Sequence, residues 1–243
     1  MKKQLSIIAM LAGLGGSLSA ATLFDDFTGV NALDNWTHTV ILDNGNTGTQ
    51  NTSTWQVNGS DQLELVTTNF DAIEQHAYIR SGASVAVGEE AQITLTLPIS
   101  GNNANDSFGI YVGGTAPVFN VRQDFLTHYN KSGSASSFST GFNGTTAIAS
   151  QFGTITGADT LFIARTATDT YEVGYYTGAT RTIVSTRVGQ ITDADVVGIF
   201  ADTRANGTLS SIDSFQIIPE PGSFALLAGL TGLLGVMLRR RSS

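Results

Sequence analysis

An all-β fold of two antiparallel sheets, framed by an apolar leader and an apolar tail, is what this sequence predicts, on three observations. Runs of roughly four to eight β-prone residues recur between short clusters of Gly, Asn, Asp and Ser. Within the runs apolar and polar residues alternate: Ala91, Ile93, Leu95 and Leu97 against Gln92, Thr94 and Thr96, and Tyr171, Val173 and Tyr175 against Glu172 and Gly174. That spacing of two gives each strand one apolar and one hydrated face. No long stretch of the interior repeats apolar residues at three-and-four spacing, so helices are few. The chain's 243 residues include 27 Gly, 4 Pro and no Cys, with 41% hydrophobic and 13% charged. A disulfide-stapled miniature is thereby excluded, and apolar residues spread this evenly exclude general disorder.

Taken in order, the chain divides at 1–21, 22–218 and 219–243. Lys2 and Lys3 precede an apolar run from Leu5 to Leu14, then small residues ending Ser19-Ala20-Ala21, the three-part layout of a secretory signal peptide. The interior forms one domain. Its strand candidates are 23–27, 36–42, 62–68, 73–80, 91–97, 107–112, 118–123, 160–165, 171–175, 181–187, 196–201 and 209–217. Asn44-Gly45, Asn58-Gly59, Asn143-Gly144 and Asn206-Gly207 each set a residue that tolerates left-handed backbone beside glycine, as tight hairpins require. Pro98 and Pro117 fall at strand ends, where a missing N–H does least harm. The first run, 23–27, and the last, 209–217, are expected to pair.

The tail has its own three parts. Pro219-Glu220-Pro221 is followed by an apolar run from Phe224 to Leu238 and then by Arg239, Arg240 and Arg241. As a helix that run reaches only about 22 Å, short of a hydrocarbon core of about 30 Å, so transient insertion suits it better than permanent anchorage. The arginines hold the extreme C-terminus in the cytoplasm and place the domain outside the inner membrane. Here the sequence resembles the bacterial PEP-CTERM sorting signal, in which the same motif, single hydrophobic stretch and arginine cluster occur in this order. The resemblance implies recognition by an exosortase after passage through the secretion machinery, and delivery to the envelope, cell surface or extracellular polysaccharide matrix of a Gram-negative bacterium. A plain C-terminal membrane anchor is the alternative.

Charge narrows the partners. The net charge is −8, and removing both ends takes away five of the 12 basic residues but only Glu220 among the 20 acidic ones. The remaining Lys and Arg are scattered singly, so nucleic acid is not a partner. The pairing of the terminal runs and the Val197-Gly198-Ile199-Phe200 run make the domain similar to the concanavalin A-like lectin/glucanase jelly roll. That resemblance implies a jelly-roll sandwich and carbohydrate as the ligand class. Retaining glucanases of this kind carry carboxylates two apart on one strand face. Glu64, Glu74, Glu89, Glu90 and Glu172 have no such neighbour, and no catalytic residue is assigned. The reading is therefore a non-enzymatic surface or matrix protein, structural or carbohydrate-interacting, with a polysaccharide-active hydrolase or lyase as the alternative.

Sugar recognition needs aromatic faces against the apolar side of a pyranose and polar groups for its hydroxyls. Trp36, Trp55, Tyr111 and Tyr129, with Asn103 and Asn105 in a polar loop, supply those types, although each aromatic taken singly also suits a core. Asp25, Asp26 and Asp213 would converge if the terminal runs pair, and calcium, which takes six to eight oxygens, is the one cofactor they suggest. His38, His76 and His128 lie far apart in sequence without metal-site spacing and are read as packing or surface residues.

Overall fold

The computed structural model describes residues 23–43, 52–70, 73–118, 125–132, 136–143, 146–154, 157–189 and 191–219. The leader at 1–21, Glu220, Pro221, the apolar run of the tail, Arg239, Arg240 and Arg241 lie outside them, as do Asn44-Gly45 and nearly all of the expected strand at 118–123. The described residues form strands β1 (Leu23–Asp25), β2 (Trp36–Asp43), β3 (Thr52–Val57), β4 (Leu63–Asn69), β5 (Glu74–Arg80), β6 (Glu89–Leu95), β7 (Ser107–Gly113) and β8 (Phe125–Lys131). They continue with β9 (Ser136–Asn143), β10 (Thr146–Thr154), β11 (Thr160–Ala167), β12 (Thr170–Thr177), β13 (Thr180–Arg187), β14 (Val196–Thr203), β15 (Gly207–Thr208) and β16 (Ile212–Pro219).

All pairings are antiparallel and fall into two sheets. The nine-stranded sheet runs β13-β12-β11-β6-β16-β4-β15, with β1 beside β16 and β3 beside β4. The seven-stranded sheet runs β10-β9-β8-β7-β14-β5-β2. The expected partnership of the chain's terminal runs is present, with Leu23 opposite Ile217 and Asp25 opposite Phe215. The last strand starts at Ile212 rather than 209, because the main chain of Leu209 is already committed to Leu65. The Asn58-Gly59 turn joins β3 to β4, and the Asn58 side chain accepts the N–H groups of Ser60 and Gln62 to fix it.

Alternation places Leu63, Leu65, Ala91, Ile93, Leu95, Leu161, Ile163 and Phe215 of one sheet against Phe108, Ile110, Val112, Val197 and Ile199 of the other, all essentially without exposure. A ladder of rings crosses that core. Phe27 meets Trp36 at 5.7 Å, Trp36 stacks on Tyr78 at 5.1 Å, Tyr78 on Trp55 at 4.6 Å, and Trp55 on Phe108 at 5.7 Å.

Two buried polar features explain what sequence patterning misses. β8 reads Phe-Leu-Thr-His-Tyr-Asn-Lys and shows no apolar alternation, because its inward positions after Leu126 are His128 and Asn130. Each is buried with a main-chain partner: His128 Nε2 lies 3.0 Å from the carbonyl of Gly174, and Asn130 accepts the N–H of Ile99 at 3.0 Å. Likewise His38 and His76, apart in sequence, meet across β2 and β5 with Nε2 and Nδ1 3.0 Å apart, and His76 reaches Thr203 at 3.1 Å.

Burial holds both rings of this pair neutral, His38 down to about 4 and His76 to about 3, the latter also through the neighbouring His38. Between those values and the ordinary 6.5, the unfolded chain takes up protons that the native chain refuses. Stability from the fully buried His76 is therefore complete above pH 6.5 and falls as the medium acidifies toward pH 3, by at most about 1.4 kcal/mol per pH unit. His38 is exposed, so solvent screens its part and His76 carries nearly all of the effect. Denaturant unfolding at pH 7 and pH 4 should show the loss, and His76→Gln should flatten it; an unchanged slope would place the acid sensitivity elsewhere.

Candidate functional site

The two faces of the seven-stranded sheet differ. One faces the inter-sheet core; the other carries a second apolar cluster of Ile41, Ala77, Ile79, Tyr111, Phe125 and Phe200, against which Tyr129 and Val196 pack. Register creates its two aromatic rows. Gly109 lies between Phe200 of β14 and Tyr129 of β8, and those rings meet with centroids 5.2 Å apart. Gly198 lies between Ile79 and Tyr111, and Tyr111 stacks on Phe125 at 5.1 Å.

At one end of this face apolar residues give way to polar ones, because the next row reads Gln75, Asp202, Ser107, Lys131. Arg204 grips Asp202 with both forks, Nε at 2.9 Å and Nη2 at 3.1 Å, while Gln75 donates to the same carboxylate at 3.3 Å. Burial raises the Asp202 carboxyl above its ordinary range, and Arg204 opposes that shift. Hydrogen bonding to Asp202 is the main influence holding the Arg204 guanidinium charged, and Tyr129 and Asp106 add to it from nearby. The 100–106 loop completes the rim. Asp106 accepts the N–H groups of Asn103 at 2.8 Å and Arg204 at 2.7 Å, the Asn103 side chain reaches the Arg204 carbonyl at 3.5 Å, and Lys131 donates to Asn105 at 3.4 Å.

Four of the six residues expected to read sugar are thus gathered on one side: Tyr111, Tyr129, Asn103 and Asn105. Tyr111 is fully buried, its hydroxyl lying against Gly113 with no hydrogen-bond partner among the described residues, so the half-buried Tyr129 is the ring at the rim. Trp36 and Trp55 are elsewhere. Each is 7% exposed within the core ladder, where no pyranose can stack, so for these two the packing role holds. Asp202, Arg204 and Lys131 join Tyr129, Asn103 and Asn105 at the rim although no sequence motif singles them out. Asp202 and Arg204 are two apart at a strand end, the spacing that lets both serve one face.

The acids of the terminal strands are spent on separate partners. Asp25 accepts the Trp36 indole N–H at 2.8 Å and the Phe27 N–H at 3.2 Å, with Arg80 at 3.3 Å. Asp26 accepts both the N–H and the hydroxyl of Thr28, and Asp213 accepts from Gln62. Among the described residues no three His, Asp or Glu side chains form a group able to hold a metal ion. The first part of the tail motif, Pro219, ends β16 opposite Glu89.

No protein family and no curated protein matches the sequence. Solved structures do match the fold. A Bacillus licheniformis beta-glucanase aligns with TM-score 0.56 and 10% identity over 83% of this chain and 100% of its own. A legume lectin-like domain from Entamoeba histolytica aligns with TM-score 0.55 and 9% identity over 81% and 95%. The exoplasmic/lumenal domain of VIP36, in a form with Ca2+ and Man3GlcNAc bound, aligns with TM-score 0.53 and 11% identity over 82% and 87%. The described strands therefore share the two-sheet jelly-roll fold of these structures.

Proposed function

We propose that this protein is an exported, non-enzymatic, carbohydrate-interacting component of a bacterial surface or polysaccharide matrix, and that the rim around Tyr129 is where it holds sugar. One observation carries the reading. Tyr129 presents a ring seated on Phe200 near Arg204, which a bidentate carboxylate fixes in place, and the amide side chains of Asn103 and Asn105 are held at the same rim by the Arg204 carbonyl and by Lys131, two residues along β8. A ring for the apolar face of a pyranose, with fixed donors and acceptors next to it, is what neutral sugar recognition requires. The VIP36 relative in fold is known with an oligosaccharide bound.

The non-enzymatic part is supported by how Asp202, Glu90 and Glu172 are committed. Asp202 is held by Arg204, and Glu90 and Glu172 share Arg181 at 2.9 and 3.0 Å, which disfavours the free, proton-exchanging carboxyl pair of a glycosidase. Export, passage through the inner membrane, and sorting by an exosortase at Pro219-Glu220-Pro221 rest on the leader and on the resemblance of the tail.

The test is binding to a glycan array, read beside an assay for released reducing ends. The full chain should bind at least one class of neutral glycan and release nothing, and Tyr129→Ala should weaken binding about tenfold. Sustained release abolished by a single carboxylate substitution would replace this reading with a hydrolase or lyase.

A further inference from the structure

The two ends of the sandwich are chemically different. β1 begins and β16 finishes at the same end, Leu23 beside Ile217 and Pro219 beside Glu89, so the first and last described residues of the domain lie at one pole. The opposite pole includes two segments that cross from sheet to sheet and meet each other: 96–106, from β6 to β7, and 204–211, from β14 to β16. These crossings are laced together. Asn103 donates to the Arg204 carbonyl, Asn102 to the Asn206 carbonyl at 2.6 Å, and Ser210 N–H to the Ser100 carbonyl at 2.8 Å.

The laced pair starts at the Tyr129 rim on the seven-stranded sheet. On the other sheet it ends in an open cleft of about 390 Å³, walled by Gln62, Thr96, Ser100, Thr208, Ser210 and Asp213 over the buried Leu209. That size is at the lower end of small-ligand sites. The lining is hydroxyl and amide groups, able both to donate and to accept, with one carboxylate and no cationic side chain. Such a wall suits neutral polyols, is poorly matched to apolar ligands for want of rings, and repels anions through Asp213. Arg204 and Ser210 are six residues apart, so rim and cleft are separated by no more than about 21 Å along the crossing.

We infer that rim and cleft are two ends of one binding path, and that a neutral polysaccharide chain lies across the pole, with its sugars held at Tyr129 and again in the Ser210–Asp213 cleft. The inference rests on the sugar reading of the rim and extends it from a sugar to a chain of several units. It also orients the domain: the polymer is bound at the pole opposite Leu23 and Pro219, so a domain tethered beyond Pro219 would present the path outward.

The test uses the full chain in mild detergent on an array bearing neutral gluco-, manno-, galacto- and N-acetylglucosamine-based chains, each as disaccharide and hexasaccharide. The hexasaccharide of the preferred class should bind about tenfold or more tightly than the disaccharide, as expected when a second subsite is engaged intramolecularly. Asp213→Ala and Thr208→Trp, both at exposed positions, should remove that advantage and leave the disaccharide unchanged. Tyr129→Ala, or the surface pair Lys131→Ala with Asn105→Ala should that variant fold poorly, should weaken both lengths. Equal affinity for the two lengths, or a hexasaccharide advantage untouched by the cleft variants, overturns the path and leaves the rim standing. Disaccharide binding indifferent to the rim variants overturns the rim and the path together, as does an array with no bound sugar.

Discussion

Replacing Arg181 with Met should cost about 3–5 kcal/mol of stability and lower the Tm by on the order of 10 °C. The reason lies on the outer face of the nine-stranded sheet, where alternation predicts a hydrated surface and a dry one is found. Glu90 is fully buried there, Gln92 is 5% exposed, and Phe162 is covered. Glu90 Oε1 accepts from Gln92 at 2.6 Å and from the Tyr176 hydroxyl at 2.8 Å, and Arg181 donates to Oε2 at 2.9 Å. The guanidinium sits 4.2 Å above the Phe162 ring and reaches Glu172 at 3.0 Å with its other fork. Burial and the Glu90 charge raise the Tyr176 phenol above its ordinary value, so it remains a donor. Remove Arg181 and a carboxylate stays in a dry site without its counter-charge, which costs more than the pair itself contributes. Denaturant unfolding of Arg181→Met measures the cost, and Glu90→Gln in the same chain should return much of it. A loss below about 1 kcal/mol, or no rescue, would mean that water reaches Glu90 there and that it does not depend on Arg181.

The same residues show how far a sequence can be read. Ala91, Ile93 and Leu95 announce their strand because the inward side of β6 meets only apolar neighbours, and Tyr171 and Val173 do so for β12. Gln92 looks like a surface residue because polarity alone cannot tell water from partners such as Glu90 on its own strand and Gln216 on β16. β8 stays hidden for the converse reason: His128 and Asn130 are inside, each held by a main-chain group far away in sequence. For the candidate site, residue type led to Tyr129, Asn103 and Asn105, but Trp36 and Trp55 show that type does not choose a face. Trp36 shares the inward parity of Val40, and Trp55 is drawn inward by Tyr78 and Phe108. Arg204 escaped notice because its value comes from Asp202 and from a loop a hundred residues earlier in the chain.

Gly109→Ala should do greater damage still, a loss above about 4 kcal/mol that in practice yields no soluble folded protein. In most strands a glycine is merely a weak choice. Here an added Cβ would overlap the His128 carbonyl oxygen and the Cα and Cβ of Tyr129, and main chain in the middle of a sheet cannot step aside. Gly109 is also what lets the rings of Phe200 and Tyr129 close over β7 from either side, a cross-strand use of glycine that aromatic neighbours then cover. The methyl group would push β8 from β7 and pry open the ring pair on which the sugar reading depends. Gly59 supplies the comparison, because a Cβ there meets nothing within 4 Å and its backbone needs no left-handed angle. Gly59→Ala should therefore stay within about 0.5 kcal/mol of the parent. Thermal unfolding and soluble yield of the two variants, compared side by side, decide the matter. A Gly109→Ala protein that melts with the parent would mean that β7 and β8 are farther apart than this packing requires, and that Tyr129 does not rest on Phe200.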